Sequence, residues 1–332
     1  MSVSRTSDPA DLLVAARTGD RVALARLISL VERGGAPSRV VAGLAFRSPD
    51  QAYSVGITGA PGAGKSTLTD RLIAVARRQG LDGAGPVGVL AIDPSSPFSG
   101  GAILGDRVRM QSHSLDDGVF IRSMATRGHL GGLSVAVPDA VRVLSAVGMP
   151  VVLVETVGVG QQEVEVAAAT DTTVVVVNPG WGDAIQANKA GLLEIADLFV
   201  INKADRPHAA ETRRDLELML DLTELGEWRP PIVETVASKG HGTEELWEAV
   251  TRHRDHQVER GLLAASRHAR LIREFEQIVV ARVGELVERA LAAEEFAGLT
   301  AAMGSGDLDP YEAADRLLGS ILRAGPDTPS GP

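Results

Sequence analysis

"GITGAPGAGKSTLTDRLI", Gly56 to Ile73, joins a short apolar run to a glycine-rich turn and then to a helical pattern. Gly59, Gly64, Lys65 and Ser66 stand at the spacing G-x-x-x-x-G-K-[ST], after an apolar run that reads as a strand and before a helix. That context turns the spacing into a phosphate-gripping device. Glycines allow backbone N–H groups to wrap a polyphosphate, and the helix N-terminus adds the positive end of its dipole. Gly59, Gly62, Ala63, Gly64, Lys65, Ser66 and Thr67 are therefore the expected phosphate-binding run. Lys65 is expected to reach the β- and γ-phosphates, and the Ser66 hydroxyl to ligate Mg²⁺.

Outward from this loop, "YSVGIT", "VGVLAID", "VFIRSM", "PVVLVET", "TTVVVVN" and "LFVIN" are nearly continuous apolar runs separated by helical patterns. Strands buried on both faces by flanking helices read this way, which predicts an α/β P-loop NTPase domain with a mostly parallel sheet. "PPIVETVAS" supplies a last strand and "GTEELWEAV" a following helix. Before the sheet, Asp8 to Arg33 has helical spacing broken at Gly19-Asp20, and Gly34-Gly35 with Pro37 reads as the end of this unit. Beyond Thr251 the strand signal stops, and His253 to Ala293 is polar, charged and helix-periodic. The expected organisation is an N-terminal helical extension over 1–50 and a nucleotide domain over 51–252. A helical arm over 253–322, standing away from the sheet, and a Pro- and Gly-rich disordered tail over 323–332 complete it.

The base is read from "VINKAD", where Asn202, Lys203 and Asp205 follow a buried run in N-K-x-D order. A carboxylate at a base edge accepts from both N1–H and the N2 amine of guanine. Adenine offers no such donor pair, so the wrong base leaves the carboxylate unpaired. Lys203 is expected along the base plane, and Asn202 to tie the loop together. "VASKG" places Ala237, Ser238 and Lys239 where backbone N–H groups, led by Ala237, reach guanine O6.

Three further stretches carry candidate chemistry. In "AIDPSSPFSGGAILGDRVRM", Asp93 ends a strand and Asp106 follows a structured loop. Both are candidates for the magnesium shell or for priming the attacking water. In "VVLVETVGVGQQE", Glu155 and Gly158 occupy the places of the usual Asp-x-x-Gly of GTPases, with the Gly158 N–H expected at the γ-phosphate. The next residue is Val159, which cannot orient a water as the frequent glutamine does. Slow intrinsic hydrolysis, raised by a partner or a switch rearrangement, is the expectation. Gln161, Gln186 and Lys189 are candidates for the missing group. Lys65, Asp93, Glu155 and Lys189 thus form the expected catalytic set, and Ser66, Asp93, Asp106 and Glu155 the expected metal set.

Composition narrows the alternatives. A net charge of −10 disfavours a nucleic-acid backbone as partner. Aromatic content of 3% leaves little for base stacking, and zero cysteines remove disulfides and thiolate zinc sites. With no signal-like segment and no long apolar run, the chain reads as cytoplasmic, away from membranes.

With these residues in view, the chain resembles the MeaB/ArgK family of P-loop GTPases. The resemblance rests on "GAPGAGKSTL", "DPSSPFSGGAILGDRVRM", "RSMATRGHLGGLS", "ETVGVGQ", "GDAIQANKAGLLEIADLFVINKAD" and "GDRVALARLISLVE". It implies a GTP- and Mg²⁺-dependent metallochaperone for an adenosylcobalamin-dependent acyl-CoA mutase, usually methylmalonyl-CoA mutase. It also implies a first switch holding Asp93 and Asp106, a second from Glu155 to Gln161, and a partner-responsive one holding Gln186 and Lys189. A homodimer formed through the C-terminal arm belongs to the same resemblance. Two readings compete with it. One is a P-loop ATPase or kinase of the arginine/ornithine transport type, with Arg122 and Arg127 on the γ-phosphate. The other is a metal-insertion GTPase, for which His253, His256 and His268 form the nearest histidine group, on a helix face expected to be solvated.

Overall fold

The computed structural model describes residues 8–48, 51–94, 110–113, 115–126, 132–156, 166–180, 191, 194–224, 226–292 and 294–324. Seven strands form one sheet: β1 (Tyr53–Gly59), β2 (Val87–Pro94), β3 (Val119–Thr126), β4 (Val151–Thr156), β5 (Thr172–Val177), β6 (Leu198–Asn202) and β7 (Ile232–Thr235). Their order is β3-β2-β4-β1-β5-β6-β7, and every pairing is parallel. The apolar runs read from the sequence fall on these strands, and β1, β4, β5 and β6 are buried throughout.

The parallel arrangement has a direct consequence: all strand C-termini, and the loops that carry the motifs, emerge at one edge. From β1 the chain crosses to β2 on one side, while from its neighbour β4 it crosses to β5 on the other. Such a switch point is where open parallel sheets bind ligands.

Helices α4 (Lys65–Gln79) and α7 (Thr243–Glu259) cover one face, where Leu68, Leu72, Ile73, Leu246 and Trp247 meet Val55, Ile57 and Val174. On the other face α5 (Gly132–Ala146) packs with the N-terminal helices α1 (Pro9–Arg17), α2 (Arg21–Arg33) and α3 (Gly35–Phe46). Asp8 and Asp20 cap α1 and α2 by accepting from Ala10 N–H and from Val22 and Ala23 N–H. Gly34-Gly35-Pro37 does not end this unit as the sequence suggests. A third helix begins there, because a proline in the first turn gives up an N–H that has no intrahelical partner. Arg21 of α2 donates to Asp117 O and Val119 O, covering the β3 edge of the sheet. Helix α6 (Ala209–Asp221) packs on β5 and β6.

The chain divides into two compact units, the first running to Arg270 and the second from Leu271 onward. The division falls within α8 (Leu262–Leu291), which has no buried residue and continues into α9 (Glu294–Ser305) and α10 (Pro310–Ala324). In the second unit Leu308 and Ala313 are buried where α9 meets α10.

The stretch beyond His253 does not stand clear of the sheet at once. At the edge where strands begin, buried Asp171 accepts from Ser54 N–H and Oγ, from Arg267 Nε at 3.0 Å, and from Arg270. Burial works to raise the Asp171 carboxyl, but the Arg267 and Arg270 guanidiniums outweigh it and hold it below the usual range. His253, expected to be solvated, is buried; its Nδ1 lies 2.8 Å from Thr172 Oγ1 and its Nε2 3.4 Å from Asp197 Oδ1. Trp228 covers it, with ring centroids 4.8 Å apart.

Burial pushes the Asp197 carboxyl up to about 7 and the His253 imidazole down to about 4. Asp197 keeps a third of its side-chain surface, so solvent softens its share. A raised carboxyl stabilises the fold at low pH and loses that contribution as pH rises through about 7. A depressed imidazole does the reverse, losing its contribution as pH falls toward about 4. Between these limits folded and unfolded pairs hold one proton each, so the two slopes cancel. His253→Gln is therefore expected to make melting temperature fall as pH rises from about 4 to 7, and Asp197→Asn to make it rise. Parallel profiles for wild type and both variants would contradict this pairing.

Candidate functional site

The turn between β1 and α4 is shaped by three glycines with positive φ: Gly59 at 131°, Gly62 at 73° and Gly64 at 89°. Gly59 sits opposite Val176 in the β1–β5 register, and a Cβ there would overlap the Val176 carbonyl. At Gly64 a Cβ would overlap the side-chain nitrogen of Asn202. Gly64→Ala is expected to cost about 1–2 kcal/mol of stability, from left-handed strain and displacement of Asn202. It should also weaken nucleotide binding, which titration calorimetry would read; unchanged affinity would contradict the close fit.

Lys65 and Ser66 open α4 and are both buried. The Lys65 ammonium donates to Gly59 O at 2.6 Å and Ala60 O at 3.0 Å, which draws it across the turn. Ser66 Oγ donates to Glu155 Oε1 at 2.6 Å. The Ile57–Glu155 register of β1 and β4 brings that carboxylate beside the phosphate loop. Two hard oxygen donors at the N-terminus of α4 suit Mg²⁺, which favours a few protein oxygens completed by water and phosphate. Thr67 is exposed on the first turn of α4.

Asn202 connects the phosphate loop to the candidate base site. Its Nδ2 donates to Ala63 O at 2.8 Å, while its Oδ1 accepts from Thr235 Oγ1 and Ala237 N–H, each at 3.1 Å. Asn202 and Thr235 are register partners on β6 and β7, so the sheet itself sets this junction. Lys203 adopts a φ of 60° and donates to Gly62 O at 2.6 Å. Asp205 accepts from Lys239 Nζ at 2.9 Å, and this ammonium holds its carboxyl below the usual carboxylate range. Ala237 and Ser238 lie in a helical turn, Ala237–Lys239, whose Ala237 is buried.

Gly59, Gly62, Ala63, Gly64, Lys65, Ser66, Glu155, Asn202, Lys203, Asp205, Ala237, Ser238 and Lys239 thus gather at one edge of the sheet. Asp93 ends β2 at that same edge; its side chain, and all of Asp106, Gly158, Val159, Gln161, Gln186 and Lys189, lie outside the described residues. Three neighbours escaped the sequence reading. Arg71 donates to Ala237 O and Ser238 O, Asn178 Nδ2 to Gly62 O at 3.4 Å, and Asp70 O meets His113 Nε2 at 2.8 Å. Only Asn178 left a trace, as the polar residue closing "TTVVVVN".

Among the described residues there is no group of three or more His, Cys, Asp or Glu placed to hold a metal, and no helix long and apolar enough to cross a membrane.

Comparison with known proteins places this architecture. Residues 24–294 match the family model described as "Methylmalonyl Co-A mutase-associated GTPase MeaB". The chain belongs to the MeaB family. Among relatives of this MeaB-family chain, a Pyrococcus abyssi protein named "Putative GTPase" is 50% identical over 320 residues, covering 95% of this chain and 97% of that protein. The mouse protein named "Methylmalonic aciduria type A homolog, mitochondrial" is 33% identical over 322 residues, covering 90% of this chain and 76% of its own. The solved structure titled "Crystal structure of LAO/AO transport system kinase" superposes with a TM-score of 0.69 at 26% identity, covering 97% of this chain and 100% of that one. The P-loop NTPase fold and the MeaB/ArgK family read from the sequence are those found.

Proposed function

We propose that this chain is a GTP-binding, slowly GTP-hydrolysing switch in the cytoplasm. Its client would be an adenosylcobalamin-dependent acyl-CoA mutase, methylmalonyl-CoA mutase first, which it assists in cofactor loading and protects from inactivation. The carrying observation is the Asn202 junction, which ties the phosphate loop to the Ala237–Lys239 turn, with Asp205 three residues further along the chain. The MeaB family description and the name of the mouse relative support the choice of client.

In this reading Gly59 to Thr67 enclose the phosphates, and Lys65 leaves the Gly59 and Ala60 carbonyls for the β- and γ-oxygens. Asp205 exchanges Lys239 for guanine N1–H and N2, while Lys203 lies along the base. Of Ala237, Ser238 and Lys239, Ser238 supplies the backbone donor toward O6; the Ala237 N–H, expected to lead, is given to Asn202 Oδ1 and the Lys239 N–H to Val236 O. Ser66 and Glu155 hold Mg²⁺, with Asp93 and Asp106 as further members of its shell. When bound, Mg²⁺ neutralises charge between the phosphates. Gly158 meets the γ-phosphate, and Lys189 joins Lys65, Asp93 and Glu155 in catalysis. Val159 leaves the attacking water without an amide to orient it, so hydrolysis waits for the partner.

The organisation we propose is a helical extension over 1–50, the GTPase domain over 51–252 and a helical arm from 253 that includes α10 to Ala324; of the tail read over 323–332, residues 325–332 lie outside the described residues. A second copy of this chain is the proposed partner of the arm. Ile272, Phe275, Val279 and Val283 recur at helical spacing on α8 and are exposed by 43–63%. Neither nucleic acid nor membrane is a proposed partner.

The test is binding to purified methylmalonyl-CoA mutase with a non-hydrolysable GTP analogue, with GDP, and without nucleotide. Nucleotide-sensitive association and faster GTP hydrolysis in the mixture are expected. Neither effect would leave a GTPase without this client.

A further inference from the structure

The base-reading turn is held from a side that guanine recognition does not require. Arg71 lies on the solvent side of α4, six residues beyond Lys65. It reaches the Ala237–Lys239 turn, with Nε donating to Ala237 O at 3.1 Å and its terminal nitrogen to Ser238 O at 3.3 Å. The planar guanidinium makes this a two-point hold on consecutive carbonyls, which an ammonium cannot reproduce. A trans peptide sets its N–H opposite its C=O, so fixing the Ala237 carbonyl toward α4 also fixes the Ser238 N–H away from it.

The other attachments of the turn come from β6 and its following loop. Asn202 accepts from Ala237 N–H, and Asp205 accepts from Lys239 Nζ. Arg71 is the link from the turn to α4, the helix whose first residues are Lys65 and Ser66. Phosphate-holding and base-holding parts are thereby joined through Arg71 as well as through Asn202 and through the Lys203 bond to Gly62 O.

We propose that Arg71 is a specificity-positioning residue: by gripping the Ala237 and Ser238 carbonyls it aims the Ser238 N–H at O6 of the purine, the Ala237 and Lys239 N–H groups being given to Asn202 Oδ1 and Val236 O. The proposal rests on the guanine reading given above. It separates two halves of base recognition, with O6 read through Arg71 and the N1–H/N2 edge read by Asp205.

Affinities for GTP, for ITP, which lacks the N2 amine, and for 6-thioguanosine triphosphate, which keeps N1–H and N2 but replaces O6 by a weakly accepting sulfur, resolve the two halves. In the wild type GTP should exceed both analogues. In Arg71→Ala the preference for GTP over the 6-thio nucleotide is expected to fall roughly fivefold, a loss in keeping with exposed hydrogen bonds to a charged donor. The preference for GTP over ITP should stay as in the wild type. Arg71→Lys should fall in the same direction, since its charge remains and its fork is gone. An unchanged O6 preference in Arg71→Ala overturns the proposal, as do equal losses of both preferences or full restoration by lysine. A wild type that shows no preference for GTP over either analogue overturns the guanine reading itself, and the proposal with it.

Discussion

Asp205→Asn is expected to lower GTP affinity on the order of a hundredfold to a thousandfold and to raise affinity for xanthosine triphosphate. A carboxylate accepts from both guanine donors; an amide accepts at one position and presents an N–H to the other. The resulting unmatched donors are what make hydrogen-bonding sites discriminate so strongly. Xanthine carries a carbonyl where guanine carries its N2 amine, so the new amide finds an acceptor there. Lys239 holds the Asp205 carboxyl below the usual range, so the carboxylate is ionised across neutral pH and the wild-type preference should be flat from pH 6 to 8. Both side chains are largely exposed, and an exposed ion pair contributes little to folding. Melting temperature should accordingly stay close to that of the wild type. Fluorescence competition among GTP, ATP and xanthosine triphosphate measures the change. Equal loss toward every nucleotide would mean that Asp205 acts on the loop and not on the base.

Asn202→Ala should act on stability and binding together. Asn202 is 2% exposed and makes three hydrogen bonds, to Ala63 O, Thr235 Oγ1 and Ala237 N–H. Alanine strands all three partners, and Ala63, Thr235 and Ala237 are all buried. Stranded buried groups cost more than the bonds they lose, and about 3 kcal/mol of folding free energy is expected to disappear. The buried tie between the phosphate loop and the base turn would then be gone, leaving Arg71 and the exposed Lys203–Gly62 O bond, and GTP affinity should fall on the order of a hundredfold. Asn202→Asp supplies the contrast: it keeps the acceptor for Ala237 N–H but sets a carboxylate against Ala63 O. It should bind GTP as poorly as the alanine variant. Denaturant titration and calorimetry separate the two effects. Wild-type stability in Asn202→Ala would contradict a structural junction.

Much of this was legible in the sequence because it is written locally. A parallel strand buried on both faces favours a nearly continuous apolar run, and Val151–Thr156 and Thr172–Val177 carry one at Val151 to Val154 and at Val174 to Val177. The phosphate loop declares itself within eight residues, and N-K-x-D within four. Even the tie made by Asn202 was open to anticipation, since its position at a strand end next to the loop limits what its amide can reach. What stayed hidden depends on distant pairings. Nothing near Arg71 indicates that it will meet Ala237, 166 residues away. Nothing near His253 indicates Thr172, so a buried histidine read as one more polar residue on an amphipathic helix. Arg267 looked like surface charge until Asp171, 96 residues earlier, supplied a buried carboxylate. The third N-terminal helix was missed for a local reason: glycine and proline signals mark starts as well as ends.

One comparison bears most directly on the claim that a guanine-reading carboxylate and a phosphate loop are locked into one nucleotide site. GTP and ATP should be titrated calorimetrically into the full chain in the presence of Mg²⁺. GTP is expected to bind at least on the order of a hundredfold more tightly than ATP; ATP binding as tightly as GTP would contradict it.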